Sequence, residues 1–177
     1  ISKKILEAYL EQNGNIKIEI PDNINRIILV ASGSSYHCAR YAADLFGSIS
    51  KIEATAVYSS EFLLEDTIAH SDNILYIFIT QSGETTDTNS ALEKAKEHGV
   101  KTLCITNKEN STIWNASDYK VACLAGEEKS IAATKSFISQ LLCSTLLALK
   151  FALHKGIDTN DYTLDLKTVP SFIDKAL

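Results

Sequence analysis

Ile74-Leu75-Tyr76-Ile77-Phe78-Ile79, followed at once by Thr80-Gln81-Ser82-Gly83-Glu84-Thr85-Thr86-Asp87-Thr88, is the stretch whose reading decides the fold. Its first part is a solid apolar run of strand length, the pattern of a strand buried on both faces. The run stops abruptly in hydroxyl and amide side chains and a glycine. A helical pattern then starts at Thr85, with Leu92 and Ala95 on one face. A strand that hands its C-terminal edge directly to a helix N-terminus builds an anion site, because the first-turn N–H groups lack intrahelical partners and the helix dipole leaves that end partly positive. Serine and threonine hydroxyls and the Gly83 backbone can close around phosphate oxygens there without a lysine or arginine.

Working outward, the same alternation recurs. Residues 26–31 (RIILVA) form another continuous apolar run, which meets Ser32-Gly33-Ser34-Ser35 and then a helical pattern over 36–49. Strands are predicted at 53–58, 100–106 and 119–124, and short helical turns at 60–64 and 112–116. A long helix is predicted over 134–153, stopped near Gly156. Residues 1–12 have helical spacing and end at Asn13-Gly14. Strands that alternate with helices predict a parallel sheet covered on both faces. The expected architecture is α/β: a three-layer αβα sandwich around a five-stranded parallel sheet in the flavodoxin-like order 2-1-3-4-5. That order puts the topological switch between strands one and three. The hydroxyl-rich turns at 32–35 and 80–85 follow those two strands, so they should converge on one crevice.

At 177 residues the chain is long enough for one domain with a full core. Residues 1–157 read as that domain, with 1–24 as an N-terminal helix and lead-in. Residues 158–168 read as a linker, and 170–177 as the start of a further helix, since proline is favoured at the first helical position. The formal net charge of −5 and the lack of a lysine/arginine block argue against a nucleic-acid partner. No uninterrupted apolar run has the length of a membrane span, and 141–153, broken by Ser144, Thr145 and Lys150, reads as a buried helix. Four cysteines (Cys38, Cys104, Cys123, Cys143) lack Cys-x-x-Cys spacing and sit in apolar patterns. They are expected to be buried, reduced and cytoplasmic rather than metal ligands. No metal and no cofactor is expected. The chain opens at Ile1 and contains no methionine, which predicts a piece of a longer polypeptide.

Taken alone, Gly33-Ser34-Ser35 would be an ordinary helix start, because serine is common there. It is neither a dinucleotide fingerprint nor a Walker loop. Gln81-Ser82-Gly83 lacks the nucleophile-elbow frame. His37, His70, His98 and His154 have no acidic partner at a telling spacing and read as surface or helix-end residues. Glu61, Glu84, Glu127 and Glu128 lie near strand ends, and nothing in their spacing singles out a general base. Glu84 has a dipole role at a helix N-terminus that needs no catalysis.

Gly33-Ser34-Ser35-Tyr36, Ser60-Glu61-Phe62, Gln81-Ser82-Gly83-Glu84-Thr85 with Asp87-Thr88, and Ala132-Ala133-Thr134-Lys135-Ser136-Phe137 stand in the order and spacing of sugar isomerase (SIS) domains. The chain resembles this family from about residue 25 to residue 156, and within it most resembles the first of the two SIS domains of glutamine–fructose-6-phosphate aminotransferases. The resemblance implies a sugar 6-phosphate ligand, fructose 6-phosphate or glucosamine 6-phosphate. It implies that Ser35, Thr80, Gln81, Ser82 and Thr85 hold the phosphate, and that Ser34, Ile131 and Ala133 border the sugar. The family's catalytic base, lysine and tail belong to a second SIS domain, so no catalytic residue is assigned in this chain. The implied partners are that second SIS domain, with or without a glutaminase domain in the same polypeptide. Thr80 and Ala133 stand where the family has serines, and Leu63-Leu64 replace an arginine-rich continuation. These departures fit deaminase-like and deglycase-like relatives equally well. A phosphosugar-sensing module and a single-domain phosphoheptose-isomerase-like enzyme are the other readings. Phe137, Leu141, Leu142, Leu146, Leu149 and Leu153 cannot all face one sheet at helical spacing, so the last long helix is expected to help form a homodimer.

Overall fold

The computed structural model describes residues 1–128 and 133–176. Five strands, β1 (Arg26–Ala31), β2 (Glu53–Tyr58), β3 (Ile74–Thr80), β4 (Lys101–Thr106) and β5 (Tyr119–Ala122), form one sheet in the order β2-β1-β3-β4-β5. All pairings are parallel, with Ala31 beside Ile79 at the ends of β1 and β3. The α/β class, the strand order and the switch between β1 and β3 are therefore as the sequence predicts.

The layers follow from the two-residue period of a strand, which sends successive side chains to opposite faces. Ile27, Leu29, Leu75, Ile77 and Leu103 enter one core with Phe46, Leu146 and Phe151. Ile28, Val30, Tyr76, Phe78 and Cys104 enter the other with Phe62, Leu92 and Ile113. Helices α1 (Ser2–Tyr9), α2 (Ser34–Leu45) and α6 (Lys135–His154) cover the first face. Helices α3 (Ser59–Leu64), α4 (Thr86–Glu97) and α5 (Thr112–Ala116) cover the second. Because β3 is central, all seven of its residues are buried, which is why its sequence is solidly apolar rather than alternating.

Helix α2 runs on into a π-helical turn, Phe46–Ser50, which ends at Lys51 in the left-handed conformation. The wider turn seats Phe46 and Ile49 in the core and lets Ser50 Oγ donate to the Ala148 carbonyl at 2.7 Å. Helix α6 is long and apolar enough to cross a membrane by length and composition, yet it packs against α2, α1, the π turn and β4. Leu146 and Leu149 are fully buried, Leu142 and Leu153 sit at the core margin, and Phe137 and Leu141 are half-buried. Much of its all-round apolar character is thus satisfied within one chain, while Ile138 stays exposed.

The linker expected at 158–168 and the helix start at Pro170 are corrected: one helix, α7 (Asn160–Ala176), spans both and contains Pro170. Its start is set by the Asp158 carboxylate, which accepts from the Asn160 N–H at 3.0 Å. It docks largely through polar side chains, with Leu166 the residue of its apolar set packed against the first core. Thr159 and Thr163 are buried, and Lys167 Nζ donates to the Gln12 carbonyl at 2.9 Å. Apolar spacing therefore carries little trace of this helix. Pro170 removes one backbone donor, which an exposed helix tolerates at a cost in stability.

Candidate functional site

The crevice forms because the chain leaves β1 for one face of the sheet and β3 for the other. Helices α2 and α4 start on either side of it, and no described side chain caps the N-terminus of either. Their first-turn N–H groups are therefore left to face solvent or an anion. The resulting cleft of about 290 Å³ is lined by Ser32, Gly33, Ser34, Ser35, Ile79, Thr80, Gln81, Ser82, Thr85, Thr88 and Ala133. That volume is near the lower end of small-molecule sites, roughly 300–1,000 Å³. No lysine, arginine, histidine or carboxylate is among these lining residues. Negative charge there would be met by hydroxyls, backbone N–H groups and two helix dipoles.

Of the residues expected from the sequence, Ser34, Ser35, Thr80, Gln81, Ser82, Thr85 and Ala133 are brought together in this cleft. Ile131 lies outside the described residues. Sequence reading missed the hydroxyl lattice behind the cleft. Thr88, fully buried on α4, pairs with Ser59 Oγ at 3.1 Å and with Ser32 Oγ at 3.4 Å. It thereby ties the ends of β1, β2 and α4 together. The available signal was its position three residues after the Thr85 cap, which turns it inward on the helix.

The loop between β3 and α4 is held by the neighbouring β4–α5 segment. Gly83 adopts a positive φ of 69°. Its carbonyl accepts from the Ile113 N–H at 3.2 Å and from Asn89 Nδ2 at 3.4 Å. The Gln81 carbonyl accepts from the Asn107 N–H at 3.2 Å. Ser82 Oγ accepts from the Glu84 N–H at 3.1 Å, so its own proton stays available to the cleft. Thr80 and Thr85 share a hydroxyl hydrogen bond of 3.0 Å across the turn.

The acidic residues near the strand ends are occupied elsewhere. Glu84 reaches across to α5, accepting from the Thr112 N–H at 3.0 Å and from Thr112 Oγ1 at 2.7 Å. Those hydrogen bonds, the hydroxyl first, hold its carboxyl below the usual range. Glu128 does the same at the start of α6, accepting from the Ser136 N–H at 3.1 Å, Ser136 Oγ at 2.9 Å and the Thr134 N–H at 3.2 Å. Its carboxyl is lowered chiefly by the two bonds from Ser136. Both carboxylates cap helices, and Glu61 and Glu127 do not line the cleft. All four cysteines are free and buried. Burial pushes the Cys38 thiol up to about 12 and the Cys104 thiol to about 11, so both stay neutral and unreactive.

A depressed carboxylate contributes stability that is present above its unfolded pKa and lost as pH falls through the folded one. Thermal stability should therefore decline as pH drops from the ordinary glutamate value of about 4.3 toward the lower folded values of Glu84 and Glu128. Melting curves across that window should decline less steeply in the Glu84→Gln, Glu128→Gln double variant. An identical acid slope in both proteins would show that the caps do not titrate as described.

An open parallel sheet with two uncapped helix N-termini at its switch point, flanked by hydroxyls and lined by no cation among the described residues, makes an α/β domain whose strand ends present hydrogen-bond donors to a cleft. The chain belongs to the SIS domain family, which matches residues 22–150. It is 40% identical over 137 residues to the glutamine–fructose-6-phosphate aminotransferase (isomerizing) of Campylobacter jejuni, covering 77% of this chain and 23% of that protein. With the protein of the same name from Listeria monocytogenes it is 36% identical over 161 residues, covering 88% of this chain and 27% of that one. Among solved structures, it matches the C-terminal domain of glucosamine-fructose-6-phosphate aminotransferase from Francisella tularensis with a TM-score of 0.88 at 30% identity, over 96% of this chain and 50% of that chain. The glucosamine-6-phosphate deaminase of Thermotoga maritima gives 0.76 at 26% identity, over 98% of this chain and 51% of that chain. The chain spans about a quarter of the length of the curated relatives it matches.

Proposed function

We propose that this chain is the phosphosugar-binding part of the isomerase region of a glutamine–fructose-6-phosphate aminotransferase-type enzyme, taking fructose 6-phosphate or glucosamine 6-phosphate in the cleft between β1 and β3. The observation that carries the reading is the convergence of Ser34, Ser35, Thr80, Gln81, Ser82 and Thr85 on two uncapped helix starts. Phosphate oxygens accept hydrogen bonds from the Ser35, Ser82 and Thr85 hydroxyls and from first-turn N–H groups of α2 and α4. The sugar extends past Ser34 toward Ala133. Proton transfer between C1 and C2 needs a base, and the caps at Glu84 and Glu128 leave neither free to serve. That group is supplied by a second SIS domain of the same polypeptide, with or without a glutaminase domain. The short matched share of the aminotransferase relatives supports this arrangement.

A deaminase-type enzyme is the second reading. It is favoured by the likeness to the Thermotoga deaminase over nearly the whole chain and by Ala133, which offers the cleft no hydroxyl. Four free buried thiols fit a reducing, cytoplasmic setting. Exposed Tyr41 on α2 and Ile138 on α6, beside half-buried Phe137 and Leu141, are where a second copy or the second SIS domain would pack.

The purified 177-residue protein should bind fructose 6-phosphate or glucosamine 6-phosphate without converting either. Coupled assays for hexose phosphate interconversion and for ammonia release check this. Robust turnover by this chain alone would overturn the division of labour between the two domains.

A further inference from the structure

Behind the cleft hydroxyl of Ser35 lies a buried side-chain amide. Ser35 Oγ donates to Gln140 Oε1 at 3.1 Å, and Gln140, on α6, is 1% exposed. The other end of that amide, Nε2, is buried with no hydrogen-bond partner among the described residues. Both facts run against a phosphate site. A phosphate oxygen accepts hydrogen bonds, yet a Ser35 whose proton is spent on Gln140 can offer the cleft only lone pairs. A buried amide N–H without a partner is costly and rare.

We propose that Gln140 is a positioning residue for phosphate binding: a half-turn of its terminal amide brings Nε2–H onto Ser35 Oγ and aims the Ser35 hydroxyl proton at the ligand. The two ends of the amide have nearly the same shape, and the terminal torsion of glutamine is broad and roughly two-fold, so the turn needs no repacking. It also gives one N–H of the amide a partner, while Oε1 takes the place that Nε2 held. While Ser35 donates to Gln140 its hydroxyl offers the cleft only lone pairs; with Gln140 donating to Ser35, the Ser35 proton goes to phosphate. The proton arrangement is thus set from the α6 side of the core, out of contact with the sugar. The sequence signal is a glutamine at a buried position in the otherwise apolar and small-residue stretch from Phe137 to Cys143.

This inference rests on the phosphosugar reading of the cleft, and the test separates the two. Titration calorimetry with fructose 6-phosphate is run on the intact chain, on Ser35→Ala and on Gln140→Met, which keeps the length of the side chain and loses its donor. Gln140→Met and Ser35→Ala should each weaken binding about ten-fold or more, and the double variant should be no weaker than Ser35→Ala alone. Gln140→Glu tests direction. An ionised carboxylate can only accept, so its binding should weaken as pH rises. The wild type should instead tighten as the phosphate gains its second charge near a pKa of about 6. Since core variants can fail to fold, the wild-type protein supplies an independent readout: one Gln140 side-chain amide proton should move downfield in 15N–1H spectra as the site fills. Unchanged Gln140 amide resonances at saturation, or Gln140→Met binding like wild type while Ser35→Ala does not, would overturn the inference and leave the phosphosugar reading standing. Absence of binding by the wild type would overturn both.

Discussion

Gly83→Ala should destabilise the chain by about 2–5 kcal/mol and abolish measurable phosphosugar binding. A Cβ built on Gly83 would stand 2.0 Å from Ser111 Oγ and 2.4 Å from Ser111 Cβ, and the φ there is +69°. The left-handed backbone alone costs an L-residue roughly 1–2 kcal/mol, and forcing an extra carbon into a packed site adds about 1–3 kcal/mol. Relief would come by moving the Gln81–Thr85 loop off the β4–α5 segment. That movement breaks the bonds from Ile113 and Asn107 to the loop carbonyls and carries Ser82 out of the cleft. Ser111→Gly in the same protein should recover the packing share and leave the backbone share. Ser111 Oγ is buried without a partner among the described residues and makes no cap bond to α5, so its removal is cheap. Denaturant melts of the single and double variants check this. Equal stability of Gly83→Ala and wild type would refute the loop geometry.

Ser82→Ala and Thr85→Val should each weaken sugar-phosphate binding by roughly ten-fold or more, and together by about the product. A hydrogen bond to a charged group is worth about 1.5–3 kcal/mol, and each 1.4 kcal/mol is a factor of about ten. Ser82 has a free proton because its oxygen already accepts from the Glu84 N–H. In the Thr80–Thr85 pair one hydroxyl donates to the other, and a single outward proton remains for the ligand. Lys135→Ala is the control: Lys135 opens α6 but does not line the cleft, so its loss should matter less. Binding by Ser82→Ala and Thr85→Val at wild-type affinity, or a larger loss in Lys135→Ala, would place the phosphate elsewhere.

The sheet and the cleft were legible in the sequence because both depend on local patterns. A short solid apolar run such as 74–79, cut off by turn residues, fits a strand of a doubly covered sheet. The two hydroxyl-rich turns sit directly at strand ends, where the strand order makes them neighbours. The features that were not legible are held by partners distant in sequence. Glu84 caps a helix that begins at Thr112, Gln140 meets Ser35 from another element, and neither pairing leaves a mark on local spacing. Helix α7 was misread for a different reason. It docks by Thr159, Thr163 and Lys167 with Leu166 against the core, too sparse an apolar set to read as a stripe, and its Pro170 has the look of a helix start. The π-helical turn at Phe46–Ser50 likewise continues an ordinary helical pattern and differs only in which carbonyls are bonded.

The central claim is that the cleft recognises a sugar by its phosphate, using hydroxyls and helix N-termini in place of cations. Calorimetric titration of the wild-type chain with fructose 6-phosphate and, in parallel, with fructose tests it most directly. The expected result is saturable binding of the phosphorylated sugar at one site per chain and no measurable heat of binding for fructose. Equal binding of the two sugars, or binding of neither, would contradict it.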